Sequence, residues 1–189
     1  MSYDLHLFRS SAGADLERSA TASYEAVEDD MNPGPVNPKL EERKQRIAAA
    51  LMAENPLLQP FVFDYSEIAQ LEQTSTEEAR RRWRHIELNG PDDDNGLQIT
   101  LHDETASLTV PYWHRDGSAA AVWQENWQCL RVLEREGGFR TYDPQLERVL
   151  DLAADMGRVC EMYGQGVAFT GSVAGEGGAA PRRPWWKFW

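Results

Sequence analysis

Three short stretches between residues 86 and 112 alternate apolar and polar side chains with a period of two: Ile86 and Leu88, then Leu97, Ile99 and Leu101, then Ala106, Leu108, Val110 and Tyr112. Such a chain lies extended with every second side chain on one face, so the segment predicts an antiparallel meander with a single buried face. Asp103-Glu104 supplies the tight turn between the second and third strands, and Pro91 to Gly96 the looser turn between the first and second. A sheet that is apolar on one face needs a cover, and the rest of the chain has to provide it.

The cover follows directly. Ser118 is placed to cap a helix through Glu136, in which Trp123, Trp127, Leu130 and Leu133 recur at helical spacing and form one stripe. Gly137-Gly138 ends that helix. Phe139 to Tyr142 and Arg148 to Leu152 then bracket Asp143-Pro144-Gln145 as strand, turn and strand, and a last helix is expected over Ala153 to Tyr163. Upstream, Tyr3, Leu5 and Leu7 alternate with Asp4, His6 and Phe8 in an opening strand. A helix over Ala14 to Asp30 ends on Glu28-Asp29-Asp30, where the helix dipole prefers a cation, so its end is expected to fray. Met31 to Pro38 is a proline-rich loop, and a second helix runs from Lys39 to Glu54, stopping before Pro56. Phe61 to Tyr65 reads as a short strand or a buried extended piece. Thr74 to Arg84 reads as a short basic helix, with Thr74 and Glu77 at capping-box spacing. Arg80, Arg81, Arg82 and Arg84 are expected on a solvated face, paired with Glu77 and Glu78.

The expected fold is therefore α+β: an antiparallel meander sheet of about four to six strands with helices packed mainly on one face, followed by a Gly/Pro-rich C-terminal arm. Residues 1–163 are read as a single α+β domain and 164–189 as the arm, since periodicity fades after Gly164 and Gly, Ala and Pro accumulate. A length of 189 residues suits one domain with a core of its own.

Charge narrows the function. The sequence carries a formal net charge of -12, which repels nucleic acid and anionic membranes and attracts basic protein surfaces. Cys129 and Cys160 lie far apart, without Cys or His neighbours at ligand spacing, and read as small core hydrophobes. The opening residues lack the basic start and apolar core of a secretory signal, and no run reaches the roughly 18 apolar residues of a membrane helix, so a cytoplasmic location is expected.

Candidate sites are few. Asp92-Asp93-Asp94-Asn95-Gly96 imitates a calcium loop but fails its spacing: with Gly96 at the sixth position, Pro91 would be first and His102 twelfth. His6, His85, His102 and His114 form no metal-binding pattern, Gly171-Ser172 is not a nucleophile elbow, and neither Gly164-Gln165-Gly166 nor Gly175-Glu176-Gly177-Gly178 has a nucleotide-binding context. No metal and no cofactor are expected. The residues set out for a partner are Asp92, Asp93 and Asp94 on one turn, Asp103 and Glu104 on another, Trp113 and His114 where a strand gives way to a helix, and Trp185, Trp186 and Trp189 in the tail. The two acidic turns fall at opposite ends of the meander's middle strand.

The segments Ser2 to Phe8, Thr109 to Trp113, and Tyr142 to Gln145 leading to Val149 to Leu152 together resemble small bacterial α+β immunity-type proteins associated with polymorphic toxins of type VI and contact-dependent systems. The resemblance spans residues 1–152. It implies a cytoplasmic protein that binds and neutralises a cognate toxin by occluding its active surface, and the acidic charge adds the expectation that neither nucleic acid nor a membrane is a partner. Two other classes stay open: a small enzyme with a cleft built from His102, His114 and Asp116, and a homo-oligomeric adaptor whose tail docks on a neighbouring subunit. Residues 171–189 carry a net charge of about +2 against an acidic body, which favours docking of the tail on the chain's own surface.

Overall fold

The computed structural model describes residues 1–11, 13–26, 34–91, 96–112, 114 and 119–174, the last four by backbone alone. Its centre is an antiparallel sheet in the order β2-β3-β4-β5-β1-β6-β7. The meander supplies β3 (Ile86–Asn89), β4 (Gln98–Leu101) and β5 (Thr105–Pro111), in the register that puts Ile86 opposite Leu101 and Leu101 opposite Ala106. The opening strand β1 (Ser2–Phe8) takes the place beside β5 and pairs along its whole length, from Ser2 opposite Pro111 to Phe8 opposite Thr105. On its other side β1 pairs with β6 (Arg140–Asp143), which turns into β7 (Arg148–Val149). The two-residue β2 (Gln59–Pro60) closes the far edge against β3. The sheet has seven strands, one more than the upper expectation.

Period-two alternation decides the faces. Tyr3, Leu5, Leu7, Leu88, Ile99, Leu101, Ala106, Leu108 and Val110 are buried on one side. There they meet α2 (Pro38–Glu54), α5 (Ala119–Gly137) and α6 (Met156–Ala174). The predicted stripe of Trp123, Trp127, Leu130 and Leu133 is fully buried. Trp127 also donates its indole N–H to the Leu152 carbonyl at 2.9 Å, which ties α5 to the segment after β7. Among the described residues the opposite face is covered only over β1, β6 and β7, where α1 (Leu16–Glu25) lays Ala20 on Phe8 and Tyr142. Between β3 and β5 that face carries half-buried polar residues such as Glu87, Thr100, Ser107 and Thr109.

Several boundaries move for physical reasons. α1 is shorter than the expected 14–30 and is capped by Asp15, whose carboxylate accepts the Arg18 N–H; residues 27–33 lie outside the described residues. α2 begins one residue early, at Pro38 behind the Asn37 cap, because proline's fixed φ suits a first helical position. The short basic helix is α4 (Thr76–Arg82), capped by Ser75 rather than Thr74, and an unforeseen α3 (Tyr65–Leu71) precedes it behind the Asp64 cap. The largest correction is α6. It continues past Tyr163 through Gly164, Gly166 and Gly171 to Ala174. Gly166 sits under the Tyr112 ring, where a Cβ would come within 2.2 Å of Cε1, and Tyr163 donates its hydroxyl to the Pro111 carbonyl at 2.6 Å. A side chain at residue 166 would push the helix off the end of β5, so tertiary packing holds a helix that composition argues against.

Candidate protein-binding surface

Of the Asp103-Glu104 turn, which is expected to face a partner, Asp103 is engaged by two buried cations while the Glu104 side chain stays 55% exposed. Lys44 of α2 has a side chain only 1% exposed, and its Nζ lies 3.0 Å from Glu41, 3.0 Å from Asp103 and 3.0 Å from the Arg84 carbonyl. Arg84 is almost as buried. It pairs with Asp103, reaches Glu41 at 3.5 Å and donates to the Gly34 carbonyl at 2.7 Å. Burial alone would raise the Asp103 carboxyl, but the hydrogen bonds and charges of Arg84 and Lys44 outweigh it and hold the group below the ordinary carboxylate value. Glu104 takes Arg9 at 3.0 Å and Arg43 at 3.4 Å, and Arg43 also donates to the Asp103 carbonyl. Asp103 is thus the acidic centre of a largely buried ionic cluster, with Glu104 and Arg9 on its exposed rim. The expectation that Arg84 lies on the solvated face of the basic helix fails with it, whereas Arg81 and Arg82 do pair with Glu78.

Beside this cluster the His85 and His102 rings lie 5.1 Å apart. Burial, the neighbouring His102 and Lys44 together push the His85 imidazole down to about 3, so it is neutral throughout the physiological range. His114 lies at the other end of β5, its ring 6.3 Å from that of Tyr163. β5 separates the two histidines by six residue steps, about 20 Å of extended chain, so His102 and His114 cannot share one cleft. Asp116 lies outside the described residues, as do Asp92, Asp93, Asp94, Trp113, Trp185, Trp186 and Trp189.

A second polar group is buried at the opposite edge of the core. Asp143 is 0% exposed and accepts from the Tyr3 hydroxyl at 2.5 Å and from the Gln145 and Leu146 N–H groups at 2.9 and 3.1 Å. These bonds fasten the β6–β7 turn to β1. Burial raises the Asp143 carboxyl despite its donors and raises the Tyr3 phenol. Nearby, a cleft of about 560 Å³ lies between α1, α5 and β7, lined by Glu17, Arg131, Arg140 and Leu152 among others. Glu17 closes the adjoining sheet edge, since both its carboxylate oxygens lie 3.1 Å from the outward Val149 N–H.

The other sheet edge is different. Phe61 N–H donates to the Glu87 carbonyl at 2.8 Å, so the alternate residue Pro60 faces outward, and it has no N–H to offer an added strand. The side chains here are open, contrary to the expectation of a buried piece. Leu57 is 53% exposed, Val62 85% and Leu71 77%. Phe63 continues the surface inward, with ring centroids 5.0 Å from Phe61, 5.8 Å from Trp83 and 4.8 Å from His85, and Arg80 lies over the Tyr65 ring at 4.7 Å. Residues 54–79 add Glu54, Asp64, Glu67, Glu72, Glu77 and Glu78 without a single Lys, Arg or His. This corner combines apolar exposure, aromatic rings in mutual contact and an excess of carboxylates, of which Glu72 and Glu78 are paired with Arg81 and Arg82 of α4. The sequence held a signal for it in the run of acids without a base around Phe61-Val62-Phe63, but alternation alone does not tell an exposed aromatic from a buried one.

Among the described residues no group of His, Cys, Asp and Glu is arranged to hold a metal ion, and no helix is long and apolar enough to cross a membrane. Comparison with family models, curated proteins and solved structures returned no match to this chain.

Proposed function

We propose that the chain is a cytoplasmic binding protein that neutralises a cognate protein toxin by covering its active or binding surface. One observation carries the reading: around β2, α3 and α4 the side chains of Leu57, Val62 and Leu71 are exposed, and the Phe61, Phe63 and Trp83 rings meet edge-on or tilted, in a region whose residues 54–79 carry acids and no base. Interface energy concentrates in a few aromatic and arginine anchors ringed by polar residues, and Phe61, Phe63, Trp83 and Arg80 match that composition. The surrounding carboxylates favour a basic partner and accelerate its approach. Many enzymes that cut nucleic acid or nucleotides present basic clefts, so a toxin of that kind fits the charge. Because Pro60 blocks strand addition, the partner is held through side chains.

Co-expression with the toxin encoded beside the gene tests the proposal. The intact chain should restore growth and form a complex that survives gel filtration. Leu71→Asp should weaken that complex at least tenfold, and growth that stays arrested with no complex overturns the reading.

A further inference from the structure

The same corner has a second candidate occupant within the chain. Residues 181–189 read Pro-Arg-Arg-Pro-Trp-Trp-Lys-Phe-Trp, three cations and four large aromatics, which complement the exposed apolar side chains Leu57, Val62 and Leu71 and the exposed carboxylates Glu54, Glu67 and Glu77 of that corner. They lie outside the described residues, but the position of α6 fixes where their connection starts. Near its end α6 is held against the end of β5, with the Thr170 hydroxyl 3.5 Å from the Tyr112 carbonyl and Gly166 under the Tyr112 ring.

Tyr112 and β2 lie at one end of the sheet. The register runs from Thr109 to Gln98, from Gln98 to Asn89 and from Asn89 to Gln59, three strand spacings. That is about 15 Å across the sheet. Ten residues, 175–184, connect Ala174 to Trp185 and can span up to about 33 Å. The connection therefore reaches Leu57, which leads into β2 at that same end, and the rest of the corner follows along the strand.

We infer that residues 181–189 dock on the Leu57, Phe61, Val62 and Leu71 corner of their own chain, with Trp185 and Trp186 on the apolar side chains and Arg182, Arg183 and Lys187 toward Glu54, Glu67 and Glu77. Tethering raises the local concentration of the tail to the millimolar range, enough to populate a contact that a free peptide of this length makes only weakly. Because the tail shares the chemistry proposed for the partner, it occupies the partner's surface until displaced. The docking itself does not depend on the toxin reading.

Val62 provides the test, because it is 85% exposed among the described residues. If nothing covers it, Val62→Glu in the full chain shifts Tm by less than 1 °C. Docking predicts a loss of several degrees, an equal loss for the triple variant Trp185→Ala, Trp186→Ala, Trp189→Ala, and no further loss when the two are combined. A labelled synthetic peptide of residues 181–189 should bind the triple variant at least tenfold more tightly than the native chain, and 0.5 M salt should weaken it. Unchanged Tm, additive losses, or equal peptide binding to both chains overturns the inference. A native mass of two chains in light scattering that falls to one in the triple variant also overturns it, in favour of docking on a second copy. None of these measurements involves a toxin, so failure here leaves the growth-rescue experiment to decide the proposed function independently.

Discussion

Two acidic regions of this chain have opposite fates. At the β4–β5 turn, Asp103 and Glu104 are drawn into contact with Lys44, Arg84, Arg43 and Arg9. At the β2 corner, Glu54, Glu67 and Glu77 stay exposed beside Leu57, Val62 and Leu71. Acidic residues in an acidic protein are therefore not equivalent. What separates the two regions is where the cations go, since α2 and Arg84 bring bases onto Asp103, whereas Arg81 and Arg82 pair with Glu78 and Glu72 and leave Glu54, Glu67 and Glu77 exposed. Where bases converge the charges are desolvated and structural. Where they do not, the charge remains available to a partner.

Removing the cation at the centre of the turn should have the largest effect. Lys44→Ala leaves Asp103 and Glu41 partly buried without their shared ammonium, and truncating one partner of a buried pair costs about 3–5 kcal/mol. Urea denaturation at pH 7 should show that loss as a lower midpoint at unchanged slope, and a change under about 1 kcal/mol would mean that water already screens the cluster.

The next largest effect comes from protons. His85 is held down to about 3 in the folded chain, against an unperturbed value of about 6.5. Below about pH 6.5 the unfolded chain binds a proton that the folded chain refuses, so stability present at neutral pH is lost as the pH falls toward 3. Between pH 7 and pH 5 this amounts to about 2 kcal/mol. Asp103, held below its ordinary value, adds to the loss only at lower pH. His85→Gln should flatten the pH 5–7 part of the profile; a native-like slope in that variant would place the titrating group elsewhere.

At the corner the expected stability effect is the smallest. Glu67→Lys together with Glu77→Lys, made in the Trp185→Ala, Trp186→Ala, Trp189→Ala chain so that no tail contact is lost with them, reverses two exposed charges and should change stability by no more than about 0.5 kcal/mol. The same pair should slow association with the toxin several-fold at low salt, a difference that disappears at high salt. A stability loss as large as that of Lys44→Ala would erase the distinction between the two regions.

The legibility of the chain follows the same division between local and long-range causes. The meander, the α5 stripe, the β6–β7 hairpin and the stop at Gly138 are local patterns, and each appears where the alternation, spacing or glycine places it. α3 was missed because seven residues with one buried alanine carry too little periodicity to separate them from the extended run before them. The inward turn of Asp103 was hidden because its partners lie 19 and about 60 positions away in the sequence, and no pattern around a turn announces a lysine on a distant helix. The exposed corner was misread for a related reason: Phe61 and Val62 are apolar wherever they go, and only the position of β2 at the sheet edge leaves them uncovered.

By itself, the amino-acid sequence determined the α+β class, the faces of the meander, the termini of α2 and α5 to within a residue and the overall negative charge, because these depend on neighbours a few residues apart. Tertiary structure decided that β1 sits between β5 and β6 inside the sheet, that α6 runs on under Tyr112, that Asp103 meets buried cations, and that no described residue covers the aromatic corner. Each of these depends on which distant surfaces meet, and burial and ion pairing belong to those meetings rather than to any single stretch of chain.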